Sequence, residues 1–228
     1  MASNMFLYWG TGSVPCWKAM IALEEKGFGG YQNKLISFDN EENKADYVMK
    51  LNPRGQVPAF KDGDIVVNES WAICDYLERR YGNQGTQLIP SDVKEQANVL
   101  QRMYEISNIE NAVSIGLAYY YMFDTTDENR DEAVLKERYE KGRTELQIWD
   151  GYMKKMGSGA FIASRSFSMA DVYFFPYLAF FVRLGLNLSK FPALSEYYNR
   201  VKDRASVKAS WPPHWLKEPS KNDFMSQV

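Results

Sequence analysis

Asn52-Pro53-Arg54-Gly55-Gln56-Val57-Pro58-Ala59-Phe60 (residues 52–60) sets two prolines around a glycine and then runs into a short apolar strand. A cis Val57–Pro58 bond would turn the Val57 N–H and C=O outward, where an extended peptide can pair with them as an added strand. A trans bond would make Pro58 a plain strand start, and the sequence leaves both isomers open. On the N-terminal side, Asn4 to Trp9 reads as a strand. Pro15 to Lys26 follows as a helix, with Cys16, Met20 and Leu23 on one face. Pro15 suits the first turn of that helix and Gly27 its stop. Tyr31 to Phe38 is a second strand, followed by a weakly helical polar stretch to Leu51. On the C-terminal side, Val57 to Phe60 and Ile65 to Asn68 read as strands around the turn Lys61-Asp62-Gly63-Asp64, and Ser70 to Tyr81 as a helix. The order βαβ then ββα predicts a small α/β sheet with a crossover helix.

Beyond the turn-rich Gly82-Asn83-Gln84-Gly85-Thr86 the pattern changes. Gln96 to Tyr121 and Asp131 to Lys155 are long helical patterns. Ser168-Met169-Ala170-Asp171 opens an apolar helix in the manner of a capping box, with Phe167 and Val172 placed for a hydrophobic staple. A helix that is apolar all round belongs in the middle of a bundle. The polar tail after Leu216 reads as loosely ordered. The predicted domains are residues 1–83, a linker at 84–92, and an all-α domain over 93–228.

Composition narrows the chemistry. Lys plus Arg number 27 against 29 Asp plus Glu in 228 residues, which argues against nucleic-acid binding through a basic field. The single histidine, His214, removes multi-histidine metal sites and makes a Ser-His-Asp triad a poor fit, so no metal is expected. Two cysteines, Cys16 and Cys74, give no CxxC pair and no disulfide framework, which suits a reducing compartment. Met1 to Tyr8 lacks a basic start, and the longest apolar run, Val172 to Val182, is far short of the roughly 20 residues of a spanning helix. A cytoplasmic protein without a membrane partner is the expectation.

Three places carry candidate chemistry. In Trp9-Gly10-Thr11-Gly12-Ser13-Val14-Pro15-Cys16-Trp17, a glycine-bearing turn meets a helix start, where Ser13 or Thr11 can stabilise an anion. The plain alternative is an ordinary strand-to-helix turn. Cys16 reads either as an activated thiol or as a small buried hydrophobe beside Met20 and Leu23, and the missing CxxC partner favours burial. In Asn68-Glu69-Ser70, the Ser70 N–H and hydroxyl can hold a carboxylate, and Glu69 an ammonium. The competing reading is a plain helix cap. The many aromatics of the second half read mainly as core.

In combination, the Ser-x-Pro-Cys helix, N-P-x-G-Q-V-P, the Glu-Ser helix and the S-x-x-D of a helical half resemble the cytosolic glutathione transferases over about residues 4 to 217. Ser13-Val14-Pro15-Cys16-Trp17, Asn52-Pro53-Arg54-Gly55-Gln56-Val57-Pro58 and Lys208-Ala209-Ser210-Trp211-Pro212-Pro213-His214-Trp215 are most similar to the rho class, with theta and zeta as serine-using relatives. The resemblance implies an α/β thioredoxin-like domain with a cis-Pro58 loop, an all-α domain lining an electrophile pocket, and a homodimer. The implied activity conjugates the thiolate of glutathione, a co-substrate and not a permanent cofactor, to hydrophobic electrophiles. Ser13 would donate to the sulfur, with Tyr8 and Thr11 as rivals. Val57 would pair with the cysteinyl backbone, Glu69 and Ser70 with the γ-glutamyl ammonium and carboxylate, Gln56 with the γ-glutamyl or cysteinyl part, and Lys44 with the glycine carboxylate. Gly12, Met103 and Ser107 would meet the electrophile. The alternatives are a glutathione-dependent peroxidase, a Cys16-based thioltransferase and a non-catalytic ligand-binding or structural relative.

Overall fold

The computed structural model describes residues 4–228. Contacts divide the chain into two units, one running to Leu88 and taking back Asp203–Glu218, the other comprising Ile89–Lys202 and Pro219–Val228.

The first unit holds β1 (Met5–Trp9), α1 (Val14–Glu25), β2 (Gln32–Leu35), α2 (Asp46–Met49), β3 (Ala59–Asp62), β4 (Ile65–Asn68) and α3 (Ser70–Arg80). The sheet runs β2-β1-β3-β4, with β1 parallel to β2 and antiparallel to β3, and β3 antiparallel to β4. Met5, Leu7 and Trp9 are buried while Phe6 and Tyr8 are half-buried, the period-two alternation of a strand with two different faces. β2 is shorter than the expected 31–38, although buried Ile36 still donates its N–H to the Trp9 carbonyl at 2.9 Å. The predicted hairpin turn also tightens. Lys61 and Asp62 remain in β3, and Gly63, at φ 58°, turns the chain with Asp64.

By contacts, residues 84–88 and Asp203–Glu218 group with the first unit. Residues 84–88 are stitched to the end of α1. Thr86 N–H donates to the Glu25 carbonyl at 2.8 Å, Gln84 Nε2 to the Lys26 carbonyl at 2.8 Å, and buried Lys26 pairs with Glu78 at 2.5 Å. Far along the chain, α8 (Ala205–Ala209) and α9 (Pro213–Lys217) also belong to the first unit. Glu25 accepts from Arg204 Nε at 2.5 Å and Nη2 at 2.8 Å and from the Ser206 hydroxyl, and Trp17 Nε1 donates to Ser210 Oγ at 3.0 Å. Burial raises the Glu25 carboxyl, but its bonds to Arg204, Ser206 and Thr86 outweigh that and hold it below its ordinary value.

The second unit holds α4 (Val93–Ile109), α5 (Glu132–Met156), α6 (Met169–Arg183) and α7 (Pro192–Val201). The single helix expected over 96–121 is instead α4 followed by a π-helical segment, Glu110–Asp124. In that wider winding a Cβ on Gly116 would lie 2.4 Å from the carbonyl oxygen of Asn111, five residues back, so glycine tolerates the geometry. Arg138 on α5 donates to the Gly116 carbonyl. α6 is buried nearly all round, as its composition requires. The tail expected to be loose is not. Phe224, Met225 and Val228 are buried, Phe224 stacks on Tyr121 at 4.1 Å, and Arg143 Nε donates to the Val228 carbonyl at 2.8 Å. Apolar side chains spaced among polar ones were enough to dock it. No helix among the described residues is long and apolar enough to cross a membrane.

Candidate functional site

Sheet register brings the candidate residues of the first unit to one end of the sheet. Tyr8 on β1 faces Ala59 on β3, and Ala59 faces Asn68 on β4. β1 therefore ends where β3 begins and β4 ends. Just past that row lie the turn leading to Ser13, the Val57–Pro58 step, and Glu69–Ser70.

Ser13 is the N-cap of α1, with extended backbone (φ −72°, ψ 113°), and its Oγ accepts the Cys16 N–H at 3.4 Å. An oxygen used as an acceptor keeps its hydroxyl hydrogen for donation. The first-turn N–H groups of α1 add partial positive charge at the same place. Gly12 has φ 76°, and a Cβ there would meet His214 Cε1 at 2.8 Å and Trp215 Nε1 at 3.1 Å. Thr11 Oγ1 lies 2.6 Å from His214 Nδ1. Sequence reasoning used His214 only to exclude chemistry. Its placement depends on a segment some two hundred positions along the chain returning to this turn.

Cys16 is fully buried, with the Gly10 N–H directed at its sulfur at 3.4 Å. Burial pushes its thiol up to about 11, only partly offset by Ser13 and Gly10, so it stays protonated at neutral pH. Tyr8 sits on the sheet face shared with Phe6, its ring 4.7 Å from Phe6 and 5.4 Å from Tyr47.

The Val57–Pro58 bond is cis. Its approach loop is organised by Asn52, a buried residue that sequence reasoning passed over. Asn52 Nδ2 donates to the Gln56 carbonyl at 2.8 Å, and Asn52 Oδ1 accepts the Arg54 N–H at 3.1 Å. The signal was present in Asn-Pro-x-Gly, an Asx-type turn composition. Gly55 has φ 59°, and a Cβ there would meet Lys44 Cδ at 2.6 Å. Lys44 Nζ donates to the Arg54 carbonyl at 3.0 Å, and Asn43 Nδ2 to the Gly55 carbonyl at 2.8 Å. Lys44, Gln56 and Val57 are thereby gathered on one loop.

Glu69 has φ 68° and ψ 121°, a conformation rare outside glycine, and such outliers concentrate at functional sites. Ser70 is buried in the first turn of α3, where backbone N–H groups lack helical acceptors. Asn68 Nδ2 ties this corner to the Leu51 carbonyl at 2.8 Å. Met103 and Ser107 lie one turn apart on α4 of the second unit, where the Ser107 hydroxyl donates to the Tyr104 carbonyl at 2.8 Å.

A four-stranded mixed sheet with a cis proline before its third strand, followed by a helical unit, defines a two-part protein, α/β and then all-helical. Comparison with known proteins narrows this. A model of the glutathione S-transferase N-terminal domain matches residues 12–80, and one of the C-terminal domain matches residues 112–205. The chain is 45% identical to glutathione S-transferase A of Pleuronectes platessa over 228 residues, covering 100% of both. A glutathione S-transferase from the Antarctic clam Laternula elliptica shares its fold at a TM-score of 0.90, with 43% identity over 99% of this chain and 100% of that one. A delta-class glutathione transferase of Nilaparvata lugens matches at a TM-score of 0.78, with 26% identity over 98% and 97%. The chain belongs to the glutathione S-transferase family, and its α/β N-terminal and all-helical C-terminal parts are that family's architecture.

Proposed function

We propose that this glutathione transferase joins the sulfur of glutathione to hydrophobic electrophiles, with Ser13 as the group that holds the thiolate. The observation that carries this reading is the register row Tyr8–Ala59–Asn68, beyond which Ser13, Val57 and Glu69–Ser70 converge. Glutathione has two carboxylates, an ammonium, two amides and a thiol, and the convergent groups answer them. Glu69 takes the γ-glutamyl ammonium, while Ser70 at the α3 N-terminus takes the neighbouring carboxylate. The Val57 backbone pairs with the cysteinyl unit, Gln56 supports it, and Lys44 meets the glycine carboxylate.

A free thiol, with a pKa of about 8.5, is mostly protonated at neutral pH. One hydrogen bond from Ser13 to the charged sulfur contributes roughly 1.5–3 kcal/mol, or about 1–2 pKa units. The α1 N-terminus adds to this. The thiolate then attacks an electrophilic carbon, the S–C bond forms, and the leaving group departs with its electrons. Buried Cys16, held as a thiol, weighs against a thioltransferase built on it. Assignment to the rho class, a homodimer and a cytosolic location complete the proposal. The reduced, buried Cys16 and Cys74 agree with the last of these.

The test is a panel of aryl halides, hydroperoxides and reactive aldehydes with glutathione and the purified protein. Conjugation of the halides or aldehydes is expected. Glutathione binding without turnover of any of them would instead make this a binding protein.

A further inference from the structure

Asn68 ends β4, one residue before the Glu69–Ser70 corner. Its backbone faces Ala59 across the β3–β4 ladder, just after the Val57–Pro58 step. Its side chain reaches the opposite end of the same loop, where Nδ2 donates to the Leu51 carbonyl at 2.8 Å. One residue thus holds both ends of the stretch 51–59, which carries Gln56 and Val57. Between those ends the loop is closed by its own bonds, from Asn52 Nδ2 to the Gln56 carbonyl at 2.8 Å and from the Gly55 N–H to the Asn52 carbonyl at 2.9 Å.

The two asparagines differ in what they leave unpaired. Asn52 uses both ends of its amide, since its Oδ1 accepts the Arg54 N–H at 3.1 Å. Asn68 Oδ1 is buried and has no hydrogen-bond partner among the described residues. A buried acceptor without a donor destabilises the fold, and in a native protein it calls for an explanation. The next residue adds a second unfavourable feature, the positive φ of Glu69 at 68°. Both fall at the junction between the loop that carries Val57 and the start of α3.

We propose that Asn68 is a positioning residue for glutathione: it sets the spacing between the Gln56–Val57 loop and the Glu69–Ser70 corner, so that the cysteinyl and γ-glutamyl parts bind as one unit. The proposal rests on the reading above, in which Val57 pairs with the cysteinyl unit and Glu69 and Ser70 take the γ-glutamyl charges. Two halves of a site gain fully from one ligand only when they are held at that ligand's own spacing. Otherwise part of the binding free energy is absorbed in bringing them into place. The ladder fixes the β3 end of the loop. The Asn68–Leu51 bond fixes the other end, and with it the presentation of Gln56 and Val57.

The experiment compares wild-type protein and N68A, using chlorodinitrobenzene and two thiols. One thiol is glutathione. The other is N-acetylcysteinylglycine, which keeps the cysteinyl and glycine parts and has an acetyl group in place of γ-glutamyl. In N68A the KM for glutathione is expected to rise about 3- to 10-fold, the size of one net hydrogen bond's contribution. The kcat and the thiolate limb of the pH–rate profile should stay where they are, because Ser13 is untouched. With N-acetylcysteinylglycine kcat/KM should be unchanged, so the preference for glutathione falls by the same factor. The urea midpoint should move little, since the substitution removes the unpaired oxygen together with the bond to Leu51. An equal loss with both thiols, an unchanged KM for glutathione or a chain that no longer folds overturns the proposal, while the wild-type preference for glutathione stands. If wild type itself shows no preference for glutathione over the acetyl compound, the Glu69–Ser70 reading fails and this proposal falls with it.

Discussion

Two serines open helices in this protein, and their surroundings differ in a way that separates chemistry from architecture. Ser13 precedes α1 with a half-buried side chain that accepts the Cys16 N–H at 3.4 Å and also interacts with the Cys16 thiol. Ser168 precedes α6 and is buried. Its N–H donates to Asp171 Oδ2 at 2.8 Å and its hydroxyl to the same oxygen at 3.0 Å, while Asp171 Oδ1 accepts the Ile162 N–H at 2.9 Å. The hydroxyl hydrogen of Ser168 is therefore committed to a carboxylate, whereas Ser13 meets the neutral thiol of Cys16. Residue type and helix position are alike. What differs is whether the fold supplies a charged partner.

The largest effect should come from breaking the committed site. Asp171→Ala strands buried donors on Ile162 and Ser168, at a cost of roughly 3–5 kcal/mol by the penalty for such groups. Urea denaturation should show the midpoint falling sharply, while turnover per folded molecule with glutathione and an aryl halide is kept. A midpoint like that of wild type would mean that the Asp171 network carries little stability. The open site should behave in the opposite way. Ser13→Ala is expected to lower kcat/KM about 10- to 100-fold at neutral pH and to move the thiolate limb of the pH–rate profile up by about 1–2 units. Its denaturation midpoint should barely shift, because the cap bond is long. If Tyr8→Phe produces that loss and Ser13→Ala does not, the donor is the tyrosine.

The two serines also mark how far the sequence could be read. Ser168-Met169-Ala170-Asp171 is local, so its capping box was legible in four residues, and the apolar run after it announced a buried helix. The α/β order of the first unit was equally legible, since strand alternation and the Gly63 turn are short-range patterns. Ser13 could be placed at a helix start, but its role depends on register across three strands, which no local pattern encodes. The isomer of Val57–Pro58 was open for the same reason. His214 and Asn52 went unrecognised because one acts through a contact far along the chain and the other through its own backbone neighbours. The tail after Leu216 was misread because its average polarity concealed three well-spaced apolar anchors, Phe224, Met225 and Val228.

Acid titration offers a smaller contrast between carboxylates in the two units. Burial raises Asp171 from 3.8 to about 6, with its bonds to Ile162 and Ser168 only partly compensating. The native state thus holds this proton more tightly than the unfolded chain. Its contribution is most favourable below about pH 4 and declines as pH rises through 6. Glu25, held below 4.5 by Arg204 and Ser206, has the other sign: its stabilisation is present above that value and lost as pH falls. Urea midpoints measured from pH 4 to 7 should therefore gain a less negative slope in Asp171→Asn. An unchanged slope would mean that Asp171 is ionised throughout.

The smallest effect expected is that of Ser168→Ala, and it tests the comparison most finely. The backbone N–H of residue 168 still reaches Asp171 Oδ2 and that of Ile162 reaches Oδ1, so only the bond from the hydroxyl is lost. An N-cap deletion of this kind costs about 1 kcal/mol. Rates should stay at the wild-type level, and Ser168→Thr, which restores a hydroxyl, should recover part of the midpoint. A serine whose hydroxyl is spent inside the fold should register only in stability, whereas Ser13 should register almost only in rate. If Ser168→Ala lowered the rate with its midpoint unchanged, commitment to a buried carboxylate would no longer tell a structural serine from a catalytic one.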